Sequence, residues 1–256
     1  MRLRLDAALV KRGLAESRSE AVRLIETGSV TVRGTFADKA SRMVAADEPI
    51  EVLTEKRFVS RGGEKMEHAL LHFGVRVSAR SVLDAGVSTG GFTDCVLQHG
   101  ARRVFAIDVG RNQLHERIKS DSRVEWRDGV NVRDLVHADM PFDCSLVVAD
   151  LSFISLTKVL PALVQAIRAE PDFEVPQLVL LVKPQFEAGR TEVSRGKGVI
   201  TDPALHQQAC ETVSEALVAL GCLVHGVVES PIKGAEGNTE FLLFADCPTS
   251  SVGLVS

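Results

Sequence analysis

SVLDAGVSTGGFTDCVLQHGARRVFAIDVG, residues 81–110, decides the fold. Val82-Leu83 and Val104–Ile107 are short apolar runs of the kind that parallel sheets bury on both faces. Between them, Gly86, Gly90 and Gly91 allow the backbone to turn tightly and a ligand to approach it closely. The second run ends in Asp108, about 20 residues past the first glycine, where a carboxylate can accept both hydroxyls of a ribose. Strand, glycine loop, helix, strand and acid is how an α/β sheet builds a nucleoside pocket.

The loop departs from G-x-G-x-x-G: it reads Gly86-Val87-Ser88-Thr89-Gly90-Gly91, with Asp84 two residues before it. A pyrophosphate needs free N–H groups at a helix N-terminus and no nearby negative charge. An acid at this place disfavours a diphosphate and suits a cationic cofactor without phosphate. S-adenosylmethionine (SAM), with its amino group and sulfonium, meets that description. A nicotinamide-dependent oxidoreductase is the rival, disfavoured by Asp84 and by the missing glycine pattern.

The 256 residues, 45% of them hydrophobic, suffice for one large domain or for a medium and a small one. No apolar run has the length to span a bilayer, and the start lacks the pattern of a secretion signal. The five cysteines, Cys95, Cys144, Cys210, Cys222 and Cys247, are scattered and odd in number. They read as reduced thiols of a cytoplasmic protein. His68 and His72 have helical ligand spacing but lack a third ligand, so no metal is expected. Residues 1–60 carry 11 Lys/Arg against 9 Asp/Glu, and the remainder 19 against 25. A basic front end on an acidic body hints at a polyanionic partner.

The front end has its own organisation. Leu5–Val10 is a short helical pattern ended by Gly13. Ser17-Arg18-Ser19-Glu20 is a capping box before a second helix that stops at Gly28. Val30 and Val32 alternate as a strand, and Ile50–Leu53 fits another. The stretch RLDAALVKRGLAESRSEAVRLIETGSVTVRG, residues 4–34, resembles the S4 domain, an α+β RNA-binding module. That resemblance implies RNA contact, expected of Arg4 and Arg18 at signature positions and of Lys11 and Arg12 beside them. Such contacts hold phosphates without reading sequence. The expected division is residues 1–55, a linker at 56–59, and 60–256, with Phe58 packing at the junction.

From residue 60 the chain alternates helical and strand patterns. Val82–Ala85, Val104–Ile107, Val124–Trp126, Leu146–Asp150, Leu178–Val182, Leu223–Val228 and Glu240–Phe244 make seven candidate strands of an open, doubly wound sheet. Helices fit Thr157–Arg168 and the segment opened by Thr201-Asp202-Pro203 and closed by Gly221. Ligands of such sheets bind at the carboxyl ends of strands. Asp84, Asp108, Asp150 and Lys183 all fall at such ends. A lysine is a poor base near neutrality, its reference pKa being about 10.4, but becomes one when desolvated or set near another cation. The basic segment 187–202, with Arg190, Arg195 and Lys197, is long enough to serve as a functional loop.

SRGGEKMEHAL, VLDAGVSTGGFTDCVLQHGA, AIDVGRNQL, VVADLSFISLTKVLPAL, LLVKPQFEAGR and GNTEFLLF follow one another along the chain. In that order they resemble the FtsJ-type ribose 2′-O-methyltransferases, whose fold is a seven-stranded Rossmann-like SAM methyltransferase domain. With an S4 domain in front, the whole resembles the TlyA family, an older name for which is haemolysin. The resemblance implies a Lys-Asp-Lys-Glu tetrad, here Lys65, Asp150, Lys183 and Glu240, with Lys183 as general base, Lys65 assisting it, Asp150 holding the Lys183 amine and Glu240 orienting Lys65 or the ribose. It implies SAM held by Asp84, Gly86, Ser88, Gly90, Gly91, Asp108, Asn131 and Asp150, with Phe153 as a wall, and adds Arg61 to the expected RNA contacts. The implied substrate is cytidine ribose in ribosomal RNA, on the large subunit and conceivably on the small one. A membrane-active haemolysin is the other alternative, and nothing in the sequence favours it.

Overall fold

The computed structural model describes residues 2–26, 28–52, 57–188 and 198–248. It forms two compact units, Met1–Arg57 and Phe58–Ser256. Lys56 of the expected linker, and Arg190, Arg195 and Lys197, lie outside the described residues.

The first unit opens with strand β1 (Arg2–Arg4) and helices α1 (Leu5–Lys11) and α2 (Arg18–Glu26). Strands β2 (Val30–Val32), β3 (Thr35–Phe36), β4 (Met43–Ala45) and β5 (Ile50–Val52) follow. β1 pairs with β4, and β2 lies between β3 and β5, all antiparallel. Leu5, Leu9, Ala21, Ile25, Val30 and Val32 make its core. The α2 cap is half of the expected box: Ser17 Oγ accepts the Glu20 N–H (3.2 Å), but Glu20 reaches back to the Glu16 N–H (2.7 Å).

The second unit is built on a seven-stranded sheet. Its strands are β6 (Ser81–Ala85), β7 (Arg103–Asp108), β8 (Val124–Asp128), β9 (Leu146–Ala149), β10 (Gln177–Val182), β11 (Leu223–Glu229) and β12 (Phe241–Asp246). The order across the sheet is β11-β12-β10-β9-β6-β7-β8, and β12 runs antiparallel to both neighbours. Helices α3 (Gly62–Phe73), α4 (Gly91–Gln98), α5 (Glu116–Lys119), α6 (Leu160–Ala166), α7 (Pro184–Glu187) and α8 (Pro203–Ala219) complete it. The helix expected over Thr157–Arg168 is split into a 3₁₀ turn, Leu156–Lys158, and α6, with Pro161 at the start of the latter.

The period of two along each strand sorts side chains between two cores. Leu83, Phe105, Val147, Leu180 and Leu243 face α6 and α8, whereas Val82, Val104, Val148, Val179 and Leu242 face α3 and α4. Each buried residue of this size contributes about 1.5–3 kcal/mol of burial. Phe58 belongs to the second of these cores, where its ring covers Gly63 so closely that a Cβ there would fall 2.1 Å from it. It is a core residue of the second unit, because a glycine on α3 leaves it room.

Candidate active site

The parallel register places the predicted strand ends side by side. Ala85 of β6 stands opposite Ala149 of β9, which stands opposite Leu180 of β10. Asp150 and Lys183 therefore leave the sheet close together. Val182 pairs with Phe241, so Glu240 arrives from the antiparallel side next to Lys183.

Four charged side chains form two ion pairs there. Lys183 Nζ lies 2.6 Å from Asp150 Oδ1 and donates to Ser152 Oγ (2.9 Å). Lys65, from the first turns of α3, donates to Glu240 Oε2 at 2.5 Å. Lys65, Lys183 and Glu240 are all buried. Ammonium groups are that deeply buried only when paired, because an isolated buried charge is very costly. Each lysine pairs with one carboxylate and not with the other.

Glu240 is seated by residues that sequence reasoning passed over. A Cβ on Gly234 would sit 2.6 Å from Glu240 Oε1, so that glycine makes room for the carboxylate. Asn238, 1% exposed, accepts the Ile200 N–H and donates to the Gly198 carbonyl, tying residues 198–200 to the turn before Glu240. The signal was present in GNTEFLLF, but an asparagine's bonds to a segment 40 residues away cannot be read from it. Ser152, two residues past Asp150, was missed likewise.

The glycine loop lies beside these pairs. Gly86 has φ 86°, and a Cβ on it would come within 2.7 Å of the Asp150 carbonyl. Gly90, with φ 96°, caps α4 where a Cβ would strike Leu114. Gly91 packs on Ser60, Gly62 and Gly63, at the start of the helix that carries Lys65. Ser88, with φ 47°, donates its N–H to Asp108 Oδ2 (2.8 Å), and Gly110 donates to Oδ1 (2.7 Å). Asn131 caps a 3₁₀ turn, its side-chain oxygen accepting the Arg133 N–H (3.1 Å).

Two of the expected cofactor contacts stand at opposite extremes of exposure. Asp84, the fourth residue of β6, has no exposed surface. Strand alternation turns it inward onto α4, where Thr93 Oγ1 donates to Oδ2 (2.6 Å) while Oδ1 has no hydrogen-bond partner. Burial pushes its carboxyl up to about 7 from the usual 3.8; the Thr93 hydrogen bond opposes this, and the nearby Asp150 and Asp108 add to it. Phe153 is no enclosed wall: it is 92% exposed, with φ 64°, its ring 5.4 Å from that of Phe186. The Phe186 ring in turn lies 5.8 Å from Lys183 Nζ.

The groups fit a cationic nucleoside. The unpartnered Asp84 oxygen can meet a positive charge from beneath the loop, and the two glycines leave the backbone bare. Asp108 offers a carboxylate already fixed by two N–H groups.

In the first unit the expected RNA contacts divide. Arg4 and Arg18 converge on buried Asp6, each at 3.2 Å, with side chains 49% and 63% exposed. Lys11 is exposed at the end of α1, and Arg61, in the second unit, is exposed just before α3. Arg12 is otherwise engaged: its guanidinium donates to the carbonyls of Glu48, Ala45 and Ala46. It closes the turn that follows β4, tying the carbonyls of residues 45, 46 and 48 to the end of α1. No helix among the described residues is long and apolar enough to cross a membrane, and no group of three or more potential ligands gathers for a metal ion among them.

The FtsJ-like methyltransferase family model matches residues 58–247, and the S4 domain model matches residues 3–50. The chain is 43% identical over 245 residues to the "16S/23S rRNA (cytidine-2'-O)-methyltransferase TlyA" of Mycobacterium tuberculosis, covering 95% of this chain and 89% of that one. It is 38% identical over 244 residues to "Hemolysin A" of Brachyspira hyodysenteriae, covering 94% and 98%. The crystal structure of a hemolysin-named protein from Lactococcus lactis superposes with a TM-score of 0.72 at 44% identity, over 76% of this chain and 91% of that one. With its S4 and FtsJ-like domains and 43% identity to the M. tuberculosis protein, the chain belongs to the FtsJ-like methyltransferases and, among them, to the TlyA family.

Proposed function

We propose that this protein methylates the 2′-hydroxyl of a cytidine ribose in ribosomal RNA, with SAM as methyl donor. The observation that carries the reading is the pair of buried lysine–carboxylate contacts beside the glycine cradle. A ribose hydroxyl is a weak acid, and a group placed to take its proton is the main thing the protein must add to positioning. The M. tuberculosis relative is named for this reaction on both 16S and 23S RNA, so both subunits are candidate substrates.

SAM, when bound, supplies a methyl group on a positively charged sulfur. Gly86, Ser88, Gly90 and Gly91 would leave space for it, Asp108 would accept its ribose hydroxyls, Asn131 would contact its adenine, and Asp84 and Asp150 would supply negative charge to its cationic end. Lys183, held by Asp150 and Ser152, takes the proton from the 2′-hydroxyl. Lys65, held by Glu240, steadies the oxygen as it gains charge. Phe153, exposed beside Phe186, is better placed to stack on a nucleobase than on the cofactor, and a ring held in a left-handed conformation in solvent points to such use. Arg4, Arg18, Lys11 and Arg61 grip phosphates, while Arg12 maintains the S4 module.

Transfer of tritiated methyl from SAM to isolated subunits, followed by mapping of the 2′-O-methyl position, tests the reading. Label at a cytidine ribose supports it. Label on a base, or none on either subunit or on naked RNA, overturns it.

A further inference from the structure

Two cysteines flank the open end of the edge hairpin of the sheet, opposite the connection that joins its strands. β11 and β12 pair antiparallel with Leu223 opposite Asp246, so Cys222 and Cys247 are the next residues outward. Their Sγ atoms are 3.2 Å apart, and both residues are buried in the core under α8. Facing positions of antiparallel strands bring Cα atoms to about 4.5–5.5 Å, a separation that a disulfide spans. Both backbones are anchored: the Cys222 N–H donates to the Leu217 carbonyl (3.0 Å) and the Cys247 N–H to that of Pro176 (2.7 Å).

We propose that Cys222 and Cys247 are a redox-active pair that closes to an intramolecular disulfide on reaction with a small disulfide such as oxidised glutathione. Cys222 loses its proton to solvent and attacks one glutathione sulfur. The glutathione S–S bond breaks, and one glutathione leaves as thiolate and is protonated. Cys247 then gives up its proton and attacks the Cys222 sulfur of the mixed disulfide, and the second glutathione leaves in the same way. Two protein thiols are oxidised and one small disulfide is reduced to two thiols. The order follows the contact between the pair: the hydrogen bond the two sulfurs share lowers the Cys222 thiol and raises that of Cys247. β11 is the outermost strand of the sheet and Gly221 precedes the pair, so opening one corner exposes both sulfurs without unfolding the sheet. Glu240 lies just beyond the far end of β12, seven residues or about 23 Å from Cys247. Closure therefore braces the hairpin and leaves the lysine pairs in place.

The full-length protein is equilibrated in glutathione buffers from fully reduced to fully oxidised, quenched in acid, alkylated after denaturation, digested and read by mass spectrometry. The expected result is a Cys222–Cys247 cross-linked peptide in oxidised buffers only, with Cys95, Cys144 and Cys210 alkylated throughout. The cross-linked protein should melt about 5 °C or more higher, and Cys222→Ser should remove both effects. A repeat in urea below the unfolding transition removes burial as a cause of slow reaction. Free thiols or open glutathione adducts there, in the most oxidising buffer, overturn the proposal. An unchanged melting temperature in the cross-linked form overturns the brace.

Discussion

The two ends of the sheet treat buried carboxylates in opposite ways. At the amino end, Glu170 accepts from the Ser81 N–H (2.9 Å), Ser81 Oγ (2.8 Å), Ser145 Oγ (2.5 Å) and Arg102. It ties the starts of β6 and β9 together with every lone pair engaged. At the carboxyl end, Asp84 keeps one oxygen without a hydrogen bond, and Asp150 Oδ1 lies against Lys183 without hydrogen-bond geometry. A saturated acid holds a fold together. An acid left short of donors costs stability that a cation or substrate can return.

That contrast is broken most directly by exchanging the outcomes of two substitutions. Lys183→Ala should reduce methyl transfer by about 10³-fold while SAM affinity and melting temperature stay near wild type. Near-normal turnover on RNA would falsify the base assignment. Glu170→Ala should do the reverse: stability falls by about 3–5 kcal/mol, since Arg102 and two serines lose their shared acceptor, yet the fraction that remains folded turns over normally. A chemical-denaturation curve read beside the rate decides it.

The Lys65–Glu240 pair sharpens the contrast at the active end. Lys65→Met and Glu240→Gln should each slow the reaction, and the double variant should be little worse than either, because both act through one contact. Additive losses in a double-mutant cycle of kcat would separate them.

Asp84 supplies a pH dependence. Its folded pKa, about 7, lies above its ordinary 3.8, so the folded protein holds this proton more tightly than the unfolded chain. The resulting stability is full below about pH 4 and is lost as pH rises through 7. A bound cation favours the carboxylate, so SAM should bind more tightly as pH rises across 7, with release of a proton. Calorimetry in buffers of different ionisation enthalpy measures that proton, and Asp84→Asn should abolish it. The smallest effect is expected at Phe153. Its replacement by glycine removes a left-handed phenylalanine and should stabilise the protein by up to ~1 kcal/mol. RNA methylation should weaken about tenfold through KM; an unchanged KM would leave the ring without a role in RNA binding.

Much of the sheet was legible because parallel strands are apolar runs, and all seven lie within a few residues of where the sequence puts them. The strands of the first unit were harder. β1, β3 and β4 span two or three residues each, and β1 reads Arg-Leu-Arg, which no hydrophobic pattern marks. The glycine loop showed in the sequence, but the depth of Asp84 did not, since its burial depends on which face of β6 meets α4. Lys65 and Glu240 are 175 residues apart, and no spacing rule joins them: family resemblance named them and the fold paired them. Arg12 looked like its basic neighbours because only folding reveals which guanidinium is spent on carbonyls.

The contact of Gly91 with Ser60, Gly62 and Gly63 sets a tolerance for the whole site. The glycine loop and the start of the helix that carries Lys65 meet through Gly91, Gly62 and Gly63, with the short Ser60 side chain packed against Gly91. Under the proposed function, the spacing between methyl donor and Lys65 then rests on small residues and is little affected by repacking of either core. Sequence can drift along the outer face of α3, as at exposed Leu71, without moving the two components apart. On that reading, the smallest residues in the chain keep the reaction in register.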